Sequence, residues 1–231
     1  MLGILTKPLA WLLTFLYGII GNYGITLIVV TVIVKFAMYP VYKKQILSTM
    51  GMADMQPKMQ AIQRQYANDK EKMNEKMAEL YEKEGFNPMG GCLPMFVQMI
   101  ILMGFFTLLR NPMAYIPDEQ MYFAIHESFL WIKDLSQPDP WVLPILSGVA
   151  TFLSFWMNEQ QMSGPGGQTS MMTKVMAYAM PIMFVWLART YPSGIAVYWS
   201  IGQVVQIFFN LRFNHIRKVM REKNKPAKHK K

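Results

Sequence analysis

Lys35 places one positive charge inside an apolar run, Tyr23 to Tyr39, long enough to span a bilayer. A charge inside a membrane span costs about 2.5–3.5 kcal/mol on insertion scales, so it persists where it meets water, a partner or a substrate. Such a cation could face a water-filled groove. It could also snorkel, because its Cα lies roughly 7 Å from Pro40 along a helix and its stem can reach the inner headgroups. Spacing alone leaves both readings open. Thr31 lies one turn before Lys35 on the same face, and Gln98 sits inside a second apolar run. In a later run Trp199, Gln203, Gln206 and Asn210 recur at steps of four, three and four, forming one polar-edged stripe. Facing lipid, that stripe would strand amides in hydrocarbon, so it must face protein or water. The competing use is inter-helix hydrogen bonding, about 0.6 kcal/mol per contact. No carboxylate lies within an apolar run to pair with Lys35, which argues against a proton relay or ion-coupled pump.

The other reactive side chains point to no catalytic centre. His126 is a loop residue and His215 and His229 belong to a basic tail, so no histidine cluster has metal-ligand spacing. His126 neighbours Glu127, but a single pair without a nucleophile makes no relay. The GPGGQ stretch beginning at Gly164 has no strand before it and reads as a flexible linker rather than a phosphate loop. No metal or cofactor is expected, and the single Cys92 allows no internal disulfide. No cysteine lies near the start to carry an N-terminal lipid anchor.

The elements that must carry these residues are membrane helices. The 231 residues are 52% hydrophobic and 16% charged, where a soluble domain would be near ~25% charged. Hydropathy and helix breakers predict five spans, about 22–40, 91–109, 141–157, 173–190 and 194–211. From Arg212 to Lys231 there are nine Lys/Arg and one acid; from Pro40 to Pro88 there are eight Lys/Arg; from Arg110 to Pro140 there are two. The positive-inside rule then puts the first two regions in the cytoplasm and the third outside, with the N-terminus outside and the C-terminus inside. Residues 1–20 lack the basic start and cleavage site of a signal peptide. They are expected to form a helix lying in the outer interface, with a sixth span as the alternative.

Residues 41–86 differ in kind. Met52, Met55, Met59, Ile62 and Tyr66 recur at spacings of three and four, and Met73, Met77 and Leu80 repeat the pattern beyond Asn68 and Asp69. Two amphipathic helices joined by a tight turn predict a cytoplasmic hairpin. Its methionines either zip the two helices together or adapt to varied partners. Asn87, Pro88, Gly90 and Gly91 form a turn back into the membrane. In the outer loop Trp131 and Trp141 suit the headgroup level.

Three stretches, VVTVIVKFAMYPVYKKQ, NPMGGCLPMFVQM and YPSGIAVYW, resemble the YidC/Oxa/Alb family of membrane-protein insertases. The resemblance covers essentially the whole chain, with no large periplasmic domain, as in the compact bacterial forms of Gram-positive type. It implies an all-α polytopic fold with five transmembrane helices around a hydrophilic groove in the inner leaflet. It also implies insertion and folding of small membrane proteins without nucleotide hydrolysis. Family members carry an arginine where this chain has Lys35, so charge is kept while the bidentate fork is lost. Thr31, Gln98 and Trp199 fall on groove-lining or substrate-contacting positions, and the rest of the stripe, Gln203, Gln206 and Asn210, completes the expected groove. The implied partners are nascent membrane proteins, the bilayer, the ribosome through the basic tail 212–231, the Sec translocon and the signal recognition particle pathway. The implied location is the bacterial cell membrane, and a lipid-facing groove is compatible with a monomer. Two other classes compete: a small-anion transporter using Lys35, and an assembly factor that moves no polypeptide. The absence of internal repeats counts against the transporter.

Overall fold

The computed structural model describes residues 3–85, 93–116, 119–162 and 171–223. Among these it is almost entirely helical: α1 Gly3–Ile20, α2 Tyr23–Ala37, α3 Tyr39–Gln65, α4 Lys70–Lys83, α5 Leu93–Arg110, the short α6 Glu119–Ala124, α7 Val142–Met162, α8 Met171–Thr190 and α9 Ser193–Lys223. The expected turn at 87–91, Cys92, the linker around Gly164 and the tail beyond Lys223 lie outside the described residues, as does the side chain of Met52.

Local chemistry sets the breaks. Gly21 closes α1 in the left-handed region at φ 67°, which glycine adopts without a Cβ penalty. Asn22 then caps α2, its Oδ1 accepting from the Ile25 N–H at 3.0 Å. Pro40 falls in the first turn of α3, where its missing N–H is tolerated. α3 therefore follows α2 with one residue, Met38, between them. Asp69 caps α4 by accepting from the Lys72 N–H at 3.1 Å. A Lys58–Glu84 ion pair joins the last third of α3 to the residue just beyond α4, so the chain folds back on itself. The hydrogen bond and charge of Lys58 hold the Glu84 carboxyl below its ordinary pKa. α4 has no buried residue, and along the α3 seam Met55 is buried while Met59 and Ile62 are half-buried.

The helices α1, α2, α5, α7, α8 and α9 bury one continuous core that includes Leu13, Leu27, Phe105, Leu108 and Tyr198. Their outer faces are apolar as well. Phe96, Ile100 and Met103 on α5, Ile145, Val149, Phe152 and Trp156 on α7, and Tyr178, Ile182 and Trp186 on α8 are all exposed at helical spacing. A helix surface apolar on both sides is suited to lipid. By length and composition one described stretch, Ser193–Ile216 at mean hydropathy 1.3, is long and apolar enough to cross a bilayer. Thr6–Ile20, Tyr23–Ala37, Phe96–Arg110 and Val142–Asn158 are shorter apolar helices.

The loop between α5 and α7 closes one end of the bundle by capping three helix N-termini. Glu127 accepts from the Tyr23 N–H of α2 at 2.7 Å and from the Tyr17 hydroxyl of α1. The Gln137 and Leu135 carbonyls accept the Ser193 and Gly194 N–H groups that open α9, at 2.9 and 3.0 Å. Asp139, 6% exposed, accepts from the Trp141 and Leu143 N–H groups at the start of α7 and from the Trp131 indole. The backbone bonds satisfy orphan donors, and Glu127 and Asp139 also set negative charge against a positive helix end. Arg189 at the end of α8 lies over the Trp141 ring, 4.4 Å from its centroid.

The loop is seated tightly on α2. A Cβ at Gly24 would fall 2.2 Å from Phe129 Cγ and Cδ2. Gly24→Ala must push the Phe129 ring away, an overpacking cost of about 1–3 kcal/mol. Thermal unfolding in detergent is expected to show a lowered midpoint for Gly24→Ala, and an equal or slightly raised midpoint for Gly18→Ala, where a Cβ meets open space and alanine favours the helix.

Candidate functional site

Roughly 18 Å along α2 from Tyr23, at 1.5 Å per residue, Lys35 turns into the bundle and is 4% exposed. Its Nζ donates to Gln98 Oε1 of α5 at 2.9 Å and to the Tyr42 hydroxyl of α3 at 3.3 Å. Tyr42 also donates to Gln98 Oε1 at 2.9 Å, and Gln98 Nε2 donates to the Tyr198 hydroxyl of α9 at 3.1 Å. An ammonium has no lone pair to offer, so it fixes which end of the Gln98 amide faces it. The other end must then find an acceptor, and Tyr198 supplies one.

The stem of Lys35 runs over Gly202 of α9. A Cβ there would lie 3.0 Å from Lys35 Cε, so glycine leaves the channel the stem occupies. The ammonium also sits 5.3 Å from the Tyr42 ring centroid, a cation–π distance. Among the described residues Lys35 makes no salt bridge. Two oxygen acceptors face its three protons. On the loop side, Leu27, Val30, Phe105 and Leu108 form a dry plug. Phe105 stacks on Tyr198 with centroids 4.1 Å apart.

The residues singled out from sequence divide into two networks. Lys35 and Gln98 belong to the first. Thr31 lies beside it, fully buried, but its hydroxyl is used on the Leu27 carbonyl at 2.6 Å. Trp199 belongs to a second network between α7 and α9. It stacks on Phe184 with centroids 3.6 Å apart and donates to Thr151 Oγ1 at 2.8 Å. Ser147 and Ser200 meet at 2.7 Å, Asn210 reaches the Ser154 carbonyl at 3.3 Å, and Gln206 donates to Asn210 at 3.3 Å. Gln203 is buried on α9 at 5% exposure.

Sequence reasoning missed Tyr42, Tyr198, Gly202 and the hydroxyl row Ser147, Thr151, Ser154. That row recurs at steps of four and three within an apolar run, a detectable one-face pattern. Tyr42 lies seven residues after Lys35, on the same face if the helix continues past Pro40. His126, noted for its neighbour Glu127, instead meets Asp134 at 3.1 Å and Ser136 at 2.9 Å, both through Nδ1. A relay needs its carboxylate and its hydroxyl on opposite ring nitrogens. Partial burial disfavours the Asp134 carboxylate, but hydrogen bonds from Ser136 and His126 prevail and hold its pKa below the ordinary value.

A family model described as 60Kd inner membrane protein matches residues 15–222. The chain belongs to that family. The motifs around Lys35, Gln98 and Trp199 fall within the matched span. The chain is 38% identical over 205 residues to the membrane protein insertase YidC of Haemophilus influenzae, covering 88% of this chain and 35% of that one. It is 36% identical over 207 residues to the YidC of Vibrio cholerae, covering 89% and 36%. The chain thus spans about a third of the length of these relatives. A solved structure titled as an active YidC insertase with its first transmembrane domain resolved superposes with a TM-score of 0.65 at 26% identity. That match covers 88% of this chain and 44% of the other. The fold is YidC-like, and the family is one of inner membrane proteins.

In this structure the contribution of Trp199 is packing before polarity. Trp199→Phe keeps the stack on Phe184 and loses one inter-helix hydrogen bond, about 0.6 kcal/mol. Trp199→Ala removes the ring, about 3–5 kcal/mol. Thermal unfolding in detergent is expected to rank wild type just above Phe, and Phe well above Ala.

Proposed function

We propose that this chain is a membrane-protein insertase that accepts short polar tails of nascent membrane proteins into an inner-leaflet groove around Lys35. The observation that carries the reading is a buried ammonium held, among the described residues, by neutral oxygen acceptors alone, with a proton left to give. A carboxylate arriving from a substrate tail would supply the missing counter-charge. Family membership and the YidC-like fold support the same assignment.

In this reading five helices, α2, α5, α7, α8 and α9, cross the bilayer, and α1 lies in the outer interface. The capped end faces outside and the Lys35 end faces the cytoplasm. The groove is centred on Lys35 and Gln98 with Thr31 beside them, and Trp199, Gln203, Gln206 and Asn210 belong to its α9 wall, where Trp199 and Asn210 are bonded to α7. α3 and α4 form a cytoplasmic arm that receives the substrate. The basic end of α9 and the tail beyond it attract ribosomal RNA or anionic lipid. The Sec translocon and the signal recognition particle pathway are proposed as suppliers of clients, and the protein acts as a monomer.

The energetics need no nucleotide. A polar tail crossing a bilayer is opposed mainly by desolvation of its charges and peptide groups. A polar site part-way through shortens the dry path, and the client's own apolar span provides the drive as it enters lipid. Lys35 pairs transiently with an acidic residue of the tail.

The test uses purified protein in liposomes, a single-span client with one Asp in a short N-terminal tail, and protease protection of that tail without nucleotide. Wild type and Lys35→Arg are expected to insert the client, and Lys35→Ala to lose at least tenfold in rate. Equal insertion by all three would remove Lys35 from the mechanism. No insertion above empty liposomes would favour a non-translocating assembly factor, and saturable flux of a small anion would favour a transporter.

A further inference from the structure

Lys35 is sealed in this structure, and what seals it belongs to a different functional part of the chain. One of its two polar covers, Tyr42, lies on α3, the helix that continues into the arm with α4. Tyr42 is itself buried at 4% exposure and packs with Phe209 and Phe213 of α9. Tyr39, one turn earlier, stacks on Phe213 with centroids 5.4 Å apart. An aromatic clamp therefore seats the first turn of α3 against α9, with the Tyr42 hydroxyl laid across the ammonium.

The attachment of α3 to α2 is weaker than that of a continuous helix. Pro40 has no N–H to return to the turn before it, so the hydrogen-bond ladder is interrupted there. Met38 alone separates the two helices. On the opposite side Lys35 cannot retreat, because its stem already fills the notch over Gly202.

We infer that Tyr42 is a positioning residue that holds Lys35 in a closed state, and that displacement of α3 releases the ammonium to the substrate. This rests on the insertase reading above and adds its regulation: the arm and the groove charge are coupled through one hydroxyl and one aromatic clamp. A substrate that moves the arm uncovers the cation that its tail then meets. Without that movement the cation is sequestered from water and from small anions, which keeps the site from acting as an open anion pore.

The experiment is lysine labelling of the full chain in liposomes with an amine-reactive acetylating ester, read by peptide mass spectrometry. The exposed Lys43 and Lys44 serve as internal standards. Lys35 is expected to label at least tenfold more slowly than either. Tyr42→Phe keeps the ring packing and loses the hydroxyl. It is expected to speed Lys35 labelling on the order of tenfold, the fold-change implied by losing one hydrogen bond to a charged group. A second arm uses Tyr39→Cys with Phe213→Cys in a Cys92→Ser background, bridged by a reducible bis-methanethiosulfonate. Bridging is expected to keep Lys35 protected and to suppress insertion of the acidic-tail client, and reduction to restore it. Lys35 labelling as fast as Lys43 in wild type would overturn the inference. So would unchanged labelling in Tyr42→Phe, or bridged protein inserting at the unbridged rate. If wild type inserts no client, the insertase reading falls while the labelling results still decide whether Tyr42 holds Lys35.

Discussion

An ammonium buried among helices, with no carboxylate to meet it among the described residues, is the constraint from which the rest of the site follows. Taking such a charge out of water is costly unless oxygen atoms replace the lost hydration. Two do so here, from a glutamine and a tyrosine on different helices. Each then needs its own remaining hydrogen bonds satisfied, which draws in a second tyrosine from a fourth helix. Four helices converge on one cluster, and the fourth can approach the Lys35 stem only because it presents glycine. The site is a consequence of satisfying one cation in a polar-poor interior.

That demand also explains why the polar stripe of α9 is divided rather than continuous. One edge, with Tyr198 and Gly202, faces Lys35; the other, with Trp199, Ser200 and Asn210, binds the hydroxyl row of α7. The α7 seam is neutral and fully paired among small groups, so it fixes helix spacing. The Lys35 cluster is charged and, among the described residues, short of one acceptor. The capped end of the bundle completes the division. There, loop carbonyls and carboxylates meet three helix N-termini and leave no charged path between the loop and Lys35 among the described residues. Leu27, Val30, Phe105 and Leu108 fill the interval.

Much of this was legible from residue types and spacing, for reasons that differ by residue. Lys35 and Gln98 stood out because a charge or amide inside an apolar run has few places to go. The family resemblance, carried by motifs around them, is shown by the match over residues 15–222. What could not be read was partnership. A stripe at steps of four and three defines a face of one helix but not which neighbour it meets, so Trp199 and Lys35 looked like one site. Tyr42 was lost because Pro40 reads as a helix end, whereas a proline at the first turn is equally a helix start. Gly202 was unreadable because its role depends on a lysine stem arriving from another helix. Thr31 was readable as neighbouring Lys35 but not as already bonded to its own backbone, a choice every mid-helix threonine has.

The choice of lysine at position 35, where the family resemblance implies arginine, takes on a specific meaning in this geometry. Guanidinium carries five donors in a rigid planar fork, and ammonium carries three that rotate freely. Two acceptors nearly satisfy the lysine and would leave most of an arginine's donors bare. The notch over Gly202 suits a thin methylene stem, whereas a planar head would have to turn edge-on to pass it. The closed arrangement is therefore more complete with lysine, and the cation more dependent on something else to uncover it. An arginine gains affinity for a carboxylate by bidentate pairing, but at the expense of an uneasy resting state. With lysine the balance moves the other way, toward a nearly satisfied resting site covered by the first turn of α3.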